Sequence, residues 1–311
     1  MLHLGFVFPG QGSQYIGMGQ ELASNIPAAA EVFRVADQVL GFQLSALCFE
    51  GPAERLEQTE FAQPAILATS IAALAALRSL DLQPVLMAGL SLGEYTALVA
   101  AGALSLEEAL PLVRLRGRLM QEAVGPGQGS MAAVMGLDDE AVEEICSGIE
   151  GYVAIANYNA PKQVVISGES EAVSQAGTAL KELGAKVVPL TVSVPSHCHL
   201  MYDAAMRLQA VLESLNWQAS NVPVVANVNA KQNPSADQAG LLVRQLYSPV
   251  KWEQSIRYML NEVDYFIEIG PGSSLSGLIK RIDRNAMLGN VEDMKSLLKI
   301  KEKVDTLCRK A

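Results

Sequence analysis

Apolar residues along this chain gather into short unbroken runs that stop at glycine-rich turns, and the turns lead into stretches with helical spacing. Leu4 to Phe8 runs into Gly10-Gln11-Gly12, Val85 to Ala88 into Gly89, and Phe266 to Ile269 into Gly270-Pro271-Gly272. Continuous runs of this length read as strands covered on both faces of a parallel sheet. Val222 to Val228 supplies a fourth. The pattern predicts an α/β fold, a large domain with a short parallel sheet flanked by helices, whose functional loops gather at the carboxyl ends of the strands.

From Ser130 to Val194 the rhythm changes. Strands are expected at Met131–Met135, Val153–Asn157, Gln163–Ser167 and Lys186–Val192, with helices over Asp138–Gly148 and Glu171–Leu183. That order, β-α-β-β-α-β, is ferredoxin-like. Gly125-Pro126-Gly127-Gln128-Gly129 before it and Pro195 after it are natural junctions. The chain therefore divides into a large domain, 1–127 with 195–311, and an inserted small domain, 128–194, and the cleft between them is the expected place for a ligand.

Composition removes several classes of function. Half of the 311 residues are hydrophobic and only 18% are charged, so a packed core is expected rather than disorder. The formal net charge is -10 with no dense basic run, which argues against a nucleic-acid partner. The first residues carry no cationic leader and break at Pro9 and Gly10; the apolar region Pro64 to Ala103 is interrupted by Arg78, Asp81, Pro84 and Glu94. Neither reads as a membrane segment, and a cytoplasmic protein is expected. Met294, Leu297, Leu298, Val304 and Leu307 form the stripe of an amphipathic packing helix. Cys48, Cys146, Cys198 and Cys308 are widely spaced and read as reduced structural thiols.

Four places could carry chemistry. Gly89-Leu90-Ser91-Leu92-Gly93 follows an apolar strand and precedes a helix expected over Glu94–Ala101, the context of a nucleophile elbow. A packed turn serine is the plain alternative. A nucleophilic serine needs a base, and the histidines are His3, His197 and His199. His3 opens a strand and His199 is expected at the surface, so elimination favours His197, ahead of a helix whose dipole would keep the ring neutral. Ser105-Leu106-Glu107-Glu108 has capping-box form and starts a helix to about Ala123, containing Pro111. At ~100° per residue, Arg116 falls on its apolar arc with Ala109, Leu112, Val113, Leu119, Met120 and Ala123, whereas Arg114 and Arg118 fall on the polar face. A buried guanidinium requires an anion, either an internal carboxylate or a substrate carboxylate held bidentately. Finally, Pro9-Gly10-Gln11-Gly12-Ser13-Gln14 lacks the third glycine of a dinucleotide fingerprint, where Tyr15 stands. Such a loop can instead present backbone amides to a developing oxyanion.

Taken together, these segments resemble the malonyl-CoA:acyl carrier protein transacylases of fatty acid synthesis, related to the acyltransferase domains of polyketide synthases. The resemblance extends to Gln63-Pro64-Ala65, Leu115-Arg116-Gly117, Asn159-Ala160-Pro161, Gln163 to Gly168, Val194 to Cys198, Leu242 to Leu246 and Glu268 to Gly272, in family order over most of the chain. It implies that Ser91 is acylated and His197 is its general base and acid, steadied by the backbone carbonyl of Gln245. It further implies that the amides of Gln11 and Leu92 form the oxyanion hole, that Arg116 pairs with the malonyl carboxylate, and that Gln63 and Met120 line the acyl pocket. Malonyl-CoA and a phosphopantetheinylated acyl carrier protein would be the partners, and thioester exchange calls for no metal or cofactor. One departure is Leu90, where the family usually has histidine. Lys280, Arg281 and Arg284, or Lys162, Lys181 and Lys186, offer basic patches for an acidic carrier. Two other readings stay open on sequence: a serine hydrolase or thioesterase, whose acid should follow a core strand between serine and histidine, and a carrier-binding module with a vestigial site.

Overall fold

In the computed structural model, residues 2–190 and 194–309 are described. One sheet has six strands in the order β10-β9-β1-β2-β7-β8. These are β1 (Leu4–Phe8), β2 (Pro84–Gly89), β7 (Val224–Ala226), β8 (Lys231–Gln232), β9 (Tyr265–Ile269) and β10 (Met287–Val291). β10, β9, β1, β2 and β7 run parallel, and β8 pairs antiparallel with β7 at one edge. Successive side chains of a strand point to opposite faces, and both faces are covered: Phe6, Phe8, Ile267 and Ile269 enter one apolar cluster, and Val7, Leu86, Ala88 and Phe266 enter the other. This is why the strands read as continuous apolar runs. The fourth run is shorter than expected, ending at Ala226, and β8 and β10 had no clear signal. β10 sits at an edge and contains Gly289-Asn290, residues that fit poorly in strands.

The second sheet is antiparallel, in the order β4-β5-β3-β6, from β3 (Gly129–Met135), β4 (Val153–Ala160), β5 (Gln163–Glu169) and β6 (Lys186–Pro189). Helices Asp139–Ser147 and Ser170–Glu182 complete the β-α-β-β-α-β order. The strand expected to reach Val192 is assigned to Pro189; Thr191 to Ser193 lie outside the described residues. Alternation again sorts the side chains. Ala132, Val134, Val164 and Ile166 pack under the two helices, while Met131, Ala133 and Val165 face the other way with Leu190. The edge strand β4 of the small sheet is tied to the large part of the chain at Val250, whose N–H donates to Ala156 O at 2.9 Å and whose carbonyl accepts from Tyr158 N–H at 2.9 Å. Gly129 and Pro195 lie side by side, so close that a Cβ on Gly129 would stand 2.4 Å from the proline ring.

The helix Thr59–Leu77 with the turn after it is long and apolar enough to cross a membrane by length and composition, yet 83% of its most apolar window is buried in the fold. It packs against the helix Leu106–Glu122, which begins with the expected capping box of Ser105 and Glu108 and continues through Pro111. The tail helix Met294–Cys308 buries Leu297 and Ile300 and leaves Leu298 at the surface. Cys48, Cys146 and Cys198 are buried free thiols; the side chain of Cys308 lies outside the described residues.

Candidate active site

Ser91 sits in the sharp turn between β2 and the helix Leu92–Ala100, with φ 55° and ψ -106°. A non-glycine residue in so sparse a region costs about 1–3 kcal/mol and must be held there by its surroundings. Here the holding groups are visible. The Ser91 N–H donates to Asn227 Oδ1 at 2.7 Å, and the Ser91 carbonyl accepts from Gln245 Nε2 at 2.9 Å. The turn closes only because Gly89 and Gly93 lack side chains: a Cβ on Gly89 would lie 1.9 Å from Gly93 C, and one on Gly93 2.1 Å from Phe8 O. The same contact brings the loop after β1 against the turn, where Leu90 N–H donates to Phe8 O at 3.1 Å.

His197 Nε2 lies 2.7 Å from Ser91 Oγ, and its Nδ1 lies 2.7 Å from the backbone carbonyl of Gln245. A carbonyl only accepts, so Nδ1 carries the proton and Nε2 is left bare to accept the serine hydroxyl proton. The imidazole is 3% exposed and its pKa is lowered to about 3, by burial first and then by the Arg116 charge, against the Gln245 hydrogen bond. The neutral ring was expected, but its cause is burial and a neighbouring cation, not the helix end. A 3₁₀ turn, His199–Met201, stands between His197 and the next α-helix. His199 is exposed, and so is His3, just before β1.

Arg116 is buried with 1% of its surface exposed, on the arc that helical spacing placed it. Nη1 donates to Gln63 Oε1 at 2.9 Å, and Nη2 donates to Ser91 Oγ and Gln245 Oε1, both at 3.1 Å. The guanidinium stands over the Tyr95 ring, 5.2 Å from its centroid. Among the described residues no carboxylate lies within ion-pair distance of it, and Nε has no partner. The internal-carboxylate alternative is thus not met by direct contact. Arg114 pairs with Glu60 and Arg118 with Glu122 on the outer face.

These three side chains open on a cavity of about 420 Å³ between the two sheets. Its floor includes Gln11, Leu90, Ser91, Arg116, Met120 and His197, and Met131, Ala133 and Val165 from the small sheet, with Leu190 just after it, form its roof. Gln63 stands behind this wall, bonded to Arg116 and to Met120 Sδ at 3.3 Å. The N–H groups of Gln11 and Leu92, one in the β1 loop and one in the first helical residue after Ser91, donate to no backbone or side-chain acceptor among the described residues. Leu90 presents an apolar side chain to the cavity.

Two residues were not foreseen as parts of the site. Asn227 follows β7, and besides holding Ser91 it donates from Nδ2 to Gly89 O at 2.7 Å. Glu94, fully buried, accepts through Oε2 from Asn227 N–H at 3.0 Å and from Gln245 Nε2 at 2.8 Å. An asparagine closing an apolar run, and a glutamate amid a helix otherwise rich in apolar residues, were the signals available. No group of three or more residues that could hold a metal occurs among the described residues.

A serine on a strained turn, a neutral imidazole on its hydroxyl and a buried cation beside both form, on an α/β scaffold, an arrangement suited to acyl transfer. The chain belongs to the acyl transferase domain family, whose model matches residues 5–302. It is 48% identical over 303 residues to the malonyl CoA-acyl carrier protein transacylase of Bacillus subtilis, covering 96% of each chain. The crystal structure of the transacylase so named from Clostridium perfringens superposes with a TM-score of 0.95 at 42% identity, over 99% of this chain and 98% of that one. A malonyl-transacylase solved in complex with its type II PKS acyl-carrier protein has a TM-score of 0.92 at 44% identity, over 96% of this chain and 99% of that one.

Proposed function

We propose that this enzyme transfers a malonyl group from malonyl-CoA to the phosphopantetheine thiol of acyl carrier protein, through an ester on Ser91. The observation that carries the reading is Arg116: a buried cation, bonded among the described residues to neutral groups, 3.1 Å from the serine oxygen. Its unused donor capacity is matched by a carboxylate at the far end of a short acyl chain. Relatives named for this activity over nearly the full chain, and one solved with a carrier protein, support it.

Ser91 Oγ gives its proton to His197 Nε2 as it attacks the thioester carbonyl. The amides of Gln11 and Leu92 receive the charge on the tetrahedral oxygen. The carbon–sulfur bond breaks, and the imidazolium returns the proton to the CoA thiolate. The malonyl-serine ester is then attacked by the carrier thiol, His197 again taking and returning one proton, a ping-pong sequence. Gln245 steadies the ring through its carbonyl, and Met120 shapes the acyl end of the cavity with Gln63 fixing Arg116 behind it. Arg116 selects a carboxylate-bearing acyl group, because an acetyl group leaves the buried charge unanswered. The chain is read as two units, 128–194 roofing the site and the remainder carrying the reactive groups, and as a cytoplasmic enzyme.

Incubation with malonyl-CoA followed by intact-mass measurement should show one malonyl adduct, absent in Ser91→Ala. Arg116→Ala should reduce malonyl transfer on the order of 100-fold or more relative to acetyl transfer. Equal losses with both acyl groups would remove the assigned role, and rapid release of free malonate would mean hydrolysis.

A further inference from the structure

A cation as deeply buried as Arg116 needs negative charge near it even before substrate arrives. Among the described residues two carboxylates are completely buried, Glu94 and Glu268. Glu268 is occupied elsewhere, accepting from the amides of Leu275 and Ser276 and from the Ser276 hydroxyl. Glu94 is left, and what joins it to Arg116 is one side-chain amide. Gln245 presents Oε1 to Arg116 Nη2 at 3.1 Å and Nε2 to Glu94 Oε2 at 2.8 Å. The amide dipole thus lies with its negative end on the cation and its positive end on the anion. The reverse orientation would set donor against donor at Arg116 and acceptor against acceptor at Glu94 and the Ser91 carbonyl.

We propose that Glu94 is the resident counter-charge of Arg116, acting through the Gln245 amide without touching the guanidinium, and that the acyl carboxylate takes over this role when substrate binds. The proposal rests on Arg116 as the acyl-carboxylate site and adds a positioning residue to it. An amide-bridged pair compensates the charge while leaving guanidinium donors free, which a direct ion pair would occupy. Glu94 Oε1 has no hydrogen-bond partner among the described residues, which hold the carboxylate through Oε2. Burial raises the Glu94 pKa to about 7, opposed by the Asn227 and Gln245 bonds and by Arg116. The other ionisable side chains facing the pair are His197, neutral, and Tyr95, pushed up to about 12 by burial.

The test is Glu94→Gln, which keeps the shape and an acceptor oxygen while removing the charge, studied at about pH 8 where the native carboxylate is ionised. With less negative charge near Arg116, KM for malonyl-CoA should fall by roughly 3- to 30-fold, the range given by one charge several ångströms away in a medium between water and protein interior. KM for acetyl-CoA should not move. A residue that merely props the turn would, when replaced, weaken both substrates together. In parallel, the thermal midpoints of Glu94→Gln, Arg116→Gln and the double variant are measured without substrate. Glu94→Gln should shift the midpoint more favourably in the Arg116→Gln background than in the native one, and if the single variant does not fold, the double variant should. An equal shift in both backgrounds, or failure of the double variant to fold, overturns the pairing. Thermal coupling with an unchanged malonyl KM would keep the pairing and overturn the exchange with the acyl carboxylate, locating the error in the role given to Arg116.

Discussion

At Ser91 almost every property follows from contacts made by other parts of the chain. Its backbone is held at both ends by side chains, Asn227 on the N–H and Gln245 on the carbonyl, and its hydroxyl lies between an imidazole and a guanidinium. In the proposed mechanism nucleophilicity comes from that setting: a bare Nε2 to take the proton and a cation to stabilise the oxyanion left behind. Burial, with the same cation, holds the His197 pKa far below the range of a free histidine. It follows that kcat with saturating malonyl-CoA should show no acid limb near 6.5 between about pH 5 and 8. A limb at that position, measured by rapid-quench acylation, would mean that water reaches the ring. The residue was legible in sequence because G-x-S-x-G follows an apolar strand, whereas Asn227 and the side chain of Gln245 were not, since neither lies near Ser91 along the chain.

The strand-turn-helix element is built on backbone proximity. Gly93 lets the helix Leu92–Ala100 start directly against Phe8 O, with a further backbone oxygen, Pro9 O, 3.0 Å from where a Cβ would be. Neither neighbour is a flexible side chain that could swing away. Gly93→Ala should therefore cost about 4 kcal/mol or more, or prevent folding, read by thermal denaturation. Gly277 in the helix Ser274–Ile282 is the contrast: it is exposed, a Cβ there meets nothing within 4 Å, and Gly277→Ala should stabilise by about 0.5–1 kcal/mol. Both are glycines in a helix, and only the tertiary contacts separate them. The helix Leu106–Glu122 is the opposite case. Its cap and the inward direction of Arg116 follow from spacing alone, because 3.6 residues per turn is a local rule.

Over the whole molecule, the cost of burying ionisable groups sets the pH dependence of stability. Glu94 and Glu268 have pKa values raised to about 7 and about 6, mainly by burial, from the ordinary 4.5. The native chain keeps protons that the unfolded chain releases, so these groups lower stability as pH rises above about 4.5. His197, lowered from 6.5 to about 3, acts in the opposite sense. Between those values the unfolded chain binds a proton that the native chain refuses, so stability rises with pH. His197→Gln removes the rising contribution. Its melting temperature relative to the wild type should be highest in acid and decline as pH approaches about 6.5, followed by scanning calorimetry. A difference independent of pH would show that the native imidazole titrates as it does in the unfolded chain.

What the chain determines by itself is whatever depends on near neighbours: the apolar runs of β1, β2 and β9, the β-α-β-β-α-β order, the capping box at Ser105, the serine turn and the arc that carries Arg116 inward. Tertiary structure decided what those pieces meet. It brought Gln245 and Asn227 to Ser91 across 154 and 136 residues, left Arg116 with no touching carboxylate among the described residues, and set Glu94 behind an amide. Hydrogen bonds and charges act over a few ångströms of space regardless of chain separation, so no spacing rule along the sequence could reveal those partners.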